Sequence, residues 1–160
     1  MWYNIGVQEN RKGKQIMKTI QLISIARTYS NNGQHAQQVL DFNLTGQLRK
    51  HDHVKWDEGS DIPECLMSVK SSKATLVGGG QCDSIDYTEI IEEYFLKVAS
   101  VQFAYVTADF STAYIMNAVE FREFVTQFTY LTRESSKNGG AVKVRFRQES
   151  SKMLYWLNTH

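Results

Sequence analysis

Proline is nearly absent from this 160-residue chain, Pro63 being the only one. Rigid proline-rich linkers are thereby excluded, and the single proline marks a turn or a sheet edge, because its nitrogen cannot donate to a central ladder. Cysteine is scarce as well. Cys65 and Cys82 form neither a zinc spacing such as C-x2-C nor a disulfide framework, which suits two reduced thiols in a cytoplasmic protein. Net charge is lacking too: 18 basic residues against 17 acidic ones leave +1. Charge as a whole therefore makes no case for nucleic acid, membrane or an acidic partner, and any such case must come from local clustering. No apolar run approaches the roughly 18 to 20 residues that cross a bilayer, so no membrane association is expected. "MKTIQLISIA", from Met17, imitates a leader only faintly, being interrupted by Gln21 and Ser24, followed by Arg27 and preceded by sixteen residues. Phosphate-binding glycine loops, nucleophile elbows and internal repeats are also missing.

What is present belongs to an ordinary globular domain, with 42% hydrophobic and 22% charged residues. Residues 1–16 are polar and basic without periodicity and read as an N-terminal extension; residues 17–160 read as one domain. The segment from Met17 to Asn31 fits a helix or a strand, and both remain open. In "GQHAQQVLDFNLTGQLRKH", Ala36, Val39, Leu40, Leu44 and Leu48 recur at helical spacing behind Asn32 as a candidate cap, with an interruption near Gly46. "LMSVKSSKATLV" alternates from Leu66 to Val77 and predicts one strand closed by Gly78-Gly79-Gly80. "SIDYTEIIEEYFLKVAS" predicts a helix with its acids early and Lys97 late. A strand "VQFAYVTAD", its hairpin partner "STAYIMN" and a helix "AVEFREFVTQFTYLT" follow. A loop "RESSKNGG", a strand "AVKVRFRQ" and a final helix "SSKMLYWLNTH" complete the chain. This order implies an α/β or α+β domain around one central sheet.

Metal-dependent cleavage of a phosphodiester requires hard oxygen ligands around the ion and a cation near the attacking water or the phosphate. Adjacent strands can supply both: an aspartate from one, and a carboxylate and a lysine two residues apart on one face of the next. Here "GSD" supplies Asp61, and "SVKSSK" places Ser68 and Lys70 on one face of the following strand. The order of helix, "GSD", "SVKSSK", helix and strand across residues 31–108 resembles the PD-(D/E)xK nuclease superfamily, to which many restriction endonucleases and Holliday junction resolvases belong. The resemblance implies a central mixed sheet flanked by helices, with an αβββαβ core. It implies that Asp61 is the principal ligand of a Mg2+ ion, and that Lys70 orients water or stabilises the phosphate charge. It further implies a DNA substrate, a homodimer and an origin in a phage, mobile element or defence system. Ser68 stands where the family usually has its second carboxylate, and Gln37 where its first helix commonly has a glutamate. A magnesium site would then draw on Glu64, Glu58 or Asp57 to complete the charge. The alternative is a catalytically inactive module of the same fold that binds nucleic acid or a partner protein.

A second cluster is basic. Arg133, Lys137, Lys143, Arg145, Arg147 and Lys152 crowd one stretch, and Lys143, Arg145 and Arg147 share a strand face opposite Val142, Val144 and Phe146. Together with Lys73, such a row suits a phosphate backbone; a charged edge face that discourages aggregation is the other reading. "HDH" places His51 and His53 around Asp52 without a third metal ligand at diagnostic spacing, so His35, His51 and His53 are expected at the surface. The aromatic residues are expected mostly in the core.

Overall fold

The computed structural model describes residues 8–9, 15–133 and 141–160. In chain order the elements are β1 (Gln8–Glu9), β2 (Gln15–Ile16), β3 (Lys18–Gln21), α1 (Asn32–Thr45), a single 3-10 turn (Pro63–Cys65), β4 (Met67–Ser71), β5 (Thr75–Val77) and α2 (Tyr87–Lys97), followed by β6 (Gln102–Val106), β7 (Thr112–Asn117), α3 (Ala118–Phe128), β8 (Thr129–Arg133), β9 (Val142–Phe146) and α4 (Ser151–Thr159).

Alternating apolar residues in "QFAYV" and "TAYIMN" make β6 and β7 the centre of a mixed sheet ordered β3-β7-β6-β4, in which only the β4 and β6 pair is parallel. Period two sends their side chains to two different cores. Ala104, Val106, Ala113 and Ile115 meet Ala36, Leu40 and Leu44 of α1. Phe103, Tyr105, Tyr114 and Met116 face a larger cluster built with α2, α3, α4 and a second, antiparallel sheet ordered β5-β9-β8. Phe103 and Phe121 stack there with ring centroids 4.3 Å apart, and each fully buried aromatic of this kind contributes roughly 1.5 to 3 kcal/mol. The architecture is thus α/β, a mixed sheet flanked by helices. Among the described residues no helix is long and apolar enough to cross a membrane. Within the segment expected as an extension, β1 and β2 pair antiparallel.

The helix boundaries follow from capping chemistry. The Asn31 side chain, not Asn32, accepts from the Gln34 N–H at the start of α1, and Gly46 ends the helix at φ 76°, a conformation that glycine adopts without steric cost. Asn117 and Glu120 form a reciprocal capping box on α3. Leu48, counted in the α1 stripe, lies beyond the helix and is exposed, and so is Val119 at the start of α3.

Three expectations differ from the structure. The alternation from Leu66 to Val77 is not one strand: Lys73 adopts φ 61°, and the chain leaves β4 to enter β5 in the other sheet. The helix expected through "FTYLT" stops at Phe128, because Thr129 turns extended and β8 pairs along its whole length with β9. Between α1 and α2, where three strands are expected, the first is reduced to a single bridge between Ile62 and Met67, and the last is β5.

Candidate nucleic-acid interface

β4 has one paired edge and one open edge. Along the paired edge it runs parallel to β6. On the other, the chain doubles back through the Pro63–Cys65 turn and Leu66 at φ 49°, so that Ile62 and Met67 exchange backbone hydrogen bonds of 3.0 and 3.2 Å. This return places Asp61 beside the strand, where Oδ2 accepts the Val69 N–H at 2.8 Å. Among the described residues, the second oxygen of Asp61 takes no hydrogen bond.

Ser68 and Lys70 share the face of β4 that carries Phe103 and Tyr105 on its neighbour β6, as period two requires. Their environments differ. Ser68 is buried, and its hydroxyl lies 2.6 Å from Ser100 Oγ, which is itself 2.8 Å from Ser60 Oγ. Lys70 is half-buried, and its ammonium donates to the Thr75 carbonyl at 3.2 Å. Burial pushes the Lys70 amine below the ordinary lysine range, while the negative charge of Asp61 pulls it part of the way back.

A cleft of about 710 Å³ opens here, lined by Asp61, Ser68 and Lys70 and also by Gln34 and Gln37 of α1. Its remaining wall comes from the first turn of α1 at Asn31, Asn32 and Gly33, from the irregular segment around Asp52, His53 and Trp56, and from Lys73, Thr75 and Arg145. The structure therefore brings Asp61, Ser68, Lys70 and Gln37 to one cavity. Lys73 and Arg145 join them, the Arg145 guanidinium lying 3.5 Å from the Lys73 carbonyl oxygen.

The other expected site residues lie elsewhere. Glu64 does not line the cleft; its carboxylate is bound by Arg49 at 2.7 Å, which holds it below the usual carboxylate range. Asp57 and Glu58 are exposed and absent from the cleft wall as well. Along β9 and just past its end, Lys143, Arg145 and Arg147 alternate with buried Val142, Val144 and Phe146. Lys143 lines a neighbouring cavity, and the Arg147 guanidinium lies over the Tyr130 ring at 5.1 Å. Arg133 is exposed at the end of β8, outside the cleft. Lys137 lies outside the described residues.

The donor set does not fit a magnesium ion. Among the described residues, no three His, Cys, Asp or Glu side chains gather as a metal group. One oxygen of Asp61 is held by the backbone of β4, the Ser68 hydroxyl is engaged with Ser100, Glu64 is held by Arg49, and the charge acting on Lys70 is that of Asp61. A hard dication wants several free anionic oxygens, and among these groups only the second oxygen of Asp61 is left unbound.

Two histidines depart from the expected surface position. His51 is buried beside Asp41, which is wholly inaccessible, with Nε2 2.8 Å from Oδ2. Arg49 binds both oxygens of Asp41 at 2.6 and 3.0 Å, and the Thr45 hydroxyl adds a bond of 2.9 Å. Burial alone would raise the Asp41 carboxyl, but the hydrogen bonds from His51, Arg49 and Thr45 outweigh it and hold the group below its ordinary value. Gln34 and Gln38 clamp the carbonyls of His51 and Arg49 at 3.0 and 3.2 Å. This cluster fastens the loop after α1 and so sets where Asp52, His53 and Trp56 enter the cleft wall. His35 is also buried, edge-on to Phe110 with centroids 4.6 Å apart, and its Nδ1 finds no partner among the described residues.

Sequence reasoning missed Asn31, Gly33, Asp52, His53 and Trp56 as cleft residues. No local signal marks them, since they reach the site through α1 and the Asp41 cluster. Compared with protein-family models, with curated proteins and with solved structures, the chain matches none.

Proposed function

We propose that this protein binds nucleic acid through the cleft beside β4, holding the phosphate backbone without cutting it. The observation that carries this reading is the convergence of Lys70, Lys73 and Arg145 from three segments on one cavity, in a chain whose net charge is only +1. Three cations against the two carboxylates of Asp52 and Asp61 leave a small positive surplus at one concave site, which is a local electrostatic footprint. Lys143 on the adjoining cavity extends it. The carboxylates Asp52 and Asp61 confine a phosphate chain to the basic part of the wall, because phosphate is repelled wherever they stand.

Fluorescence anisotropy of a labelled oligonucleotide in EDTA tests this reading. Binding should weaken steeply as salt rises, and the Lys73→Ala/Arg145→Ala double variant should bind about tenfold more weakly; absent or salt-independent binding would overturn it. A second reading, metal-dependent hydrolysis, draws on the joint presence of Asp61 and Lys70 in the cleft, with Gln37 and Ser68 standing where it would want carboxylates. Plasmid DNA incubated with the protein and magnesium decides between them. Cleavage lost in both Asp61→Ala and Lys70→Ala would favour the enzyme, whereas intact plasmid with undiminished binding favours the module.

A further inference from the structure

We infer that the cleft and the cavity beside it form one groove that receives a single strand of DNA, with its phosphates on the basic segments and its bases against the irregular wall. This inference rests on the nucleic-acid reading above and sharpens it.

The first support is continuity. The cleft of about 710 Å³ and the adjoining cavity of about 430 Å³ share His53, Val54, Trp56, Lys70 and Thr75 as wall residues. Lys70 therefore stands at a junction. Hollows of roughly 300 to 1,000 Å³ enclose ligands of drug size, which is the scale of a few nucleotides of one strand.

The second support is that the chemistry of the wall is divided by segment. Cations come from β4, from the turn after it and from β9, as Lys70, Lys73, Lys143 and Arg145. The segment after His51 contributes an exposed imidazole at His53 and a 40% exposed Val54, backed by the buried Trp56. Gly59 permits this packing, since a Cβ there would stand 3.1 Å from Val54 Cγ1. Single strands are held by such pairings of cations for phosphates with flat or apolar surfaces for bases, whereas a stacked duplex covers its base faces and offers only their edges in the grooves.

The third support is the carboxylates, which repel phosphate and so face another part of the ligand. Asp61 keeps one oxygen without a hydrogen bond among the described residues, and Asp52 stands on the same wall. Carboxylates accept hydrogen bonds from Watson–Crick N–H groups, such as N1–H and N2–H of guanine together, and that edge is free only in an unpaired strand.

The test is fluorescence anisotropy with a labelled 12-nucleotide strand of mixed sequence, with the same strand annealed to its complement, and with the Val54→Asp variant, whose fold is verified by circular dichroism and thermal melting. The expected result is at least tenfold tighter binding of the single strand, and a loss of fivefold or more in Val54→Asp for the single strand alone. Equal or tighter binding of the duplex, or single-strand binding unchanged in Val54→Asp, would overturn this inference while leaving the nucleic-acid reading in place. Binding of neither form would overturn both.

Discussion

Two polar clusters border the same loop, and they differ in how far their hydrogen-bonding capacity is used. Around Asp41, Arg49, His51 and Thr45 fill both carboxylate oxygens, and Arg49 reaches on to Glu64. Around Asp61, one oxygen is bound by Val69 while the other takes no hydrogen bond among the described residues, and Lys70, Lys73 and Arg145 face a cavity. A satisfied buried network rigidifies and positions what surrounds it, whereas polar capacity left open in a concave site is capacity for a ligand. Composition does not distinguish the two, since each combines carboxylate with cation. Closure does.

The largest expected effect breaks the closed cluster. Asp41→Ala leaves Arg49 and His51 without their shared acceptor, and chemical denaturation should show a loss of about 3 to 5 kcal/mol. Asp61→Ala, by contrast, frees one N–H at an open strand edge and should cost about 1 kcal/mol or less. The clusters also separate by pH. The Asp41 carboxyl lies below its ordinary value when folded, so the stability it contributes is present above the unfolded value of about 4 and is lost as pH falls through the folded one. Stability measured downward from about pH 4 should fall less steeply in Asp41→Asn than in the native chain.

The next effect lies in binding rather than stability. Lys73→Ala/Arg145→Ala removes two exposed cations of the cleft, and unfolding should shift by no more than about 0.5 kcal/mol. Single-strand affinity should fall about tenfold, with the slope of log K against log salt shallower by about 1.4, the share of two lost phosphate contacts. Lys70→Met sharpens the contrast further. Burial disfavours the charged amine at this position while Asp61 and the Thr75 carbonyl favour it, so stability should shift by no more than about 1 kcal/mol while affinity falls. Smallest is Ser68→Ala, since Ser100 keeps its contact with Ser60; calorimetry should register a loss of about 0.5 to 1 kcal/mol, and binding should not change.

Much of the architecture was legible because it depends on local periodicity. Ile90, Ile91 and Tyr94 mark α2, the alternation of Phe103 with Ala104 marks β6, and Val142, Val144 and Phe146 mark β9. The placement of Asp61 beside "SVKSSK" was legible too, since Pro63 signals the reversal that brings them together. What was not legible depends on contacts between distant residues. Alternation in "SVKSSKATLV" carries no mark of the left-handed Lys73, at which the chain changes sheets. Thr129 reads as helix until β9 is present to pair with β8. His51 reads as a surface residue unless Asp41, ten positions earlier on a helix face, is known to point at it. The wall of Asp52, His53 and Trp56 has no periodicity at all, and its place is set by that buried cluster.

On the proposed reading, the open cluster receives the ligand and the closed one supports it. A titration of the isotopically labelled protein with an unlabelled 12-nucleotide strand, followed by amide chemical shifts, measures this directly. The predicted result is perturbation concentrated at Gly33, Val54, Lys70, Lys73 and Arg145, with Thr45, Arg49 and the buried helix face at Leu40 and Leu44 unmoved. Shifts centred on Thr45 and Arg49, or spread over the exposed end of β8 at Arg133 while the cleft stays silent, would contradict it.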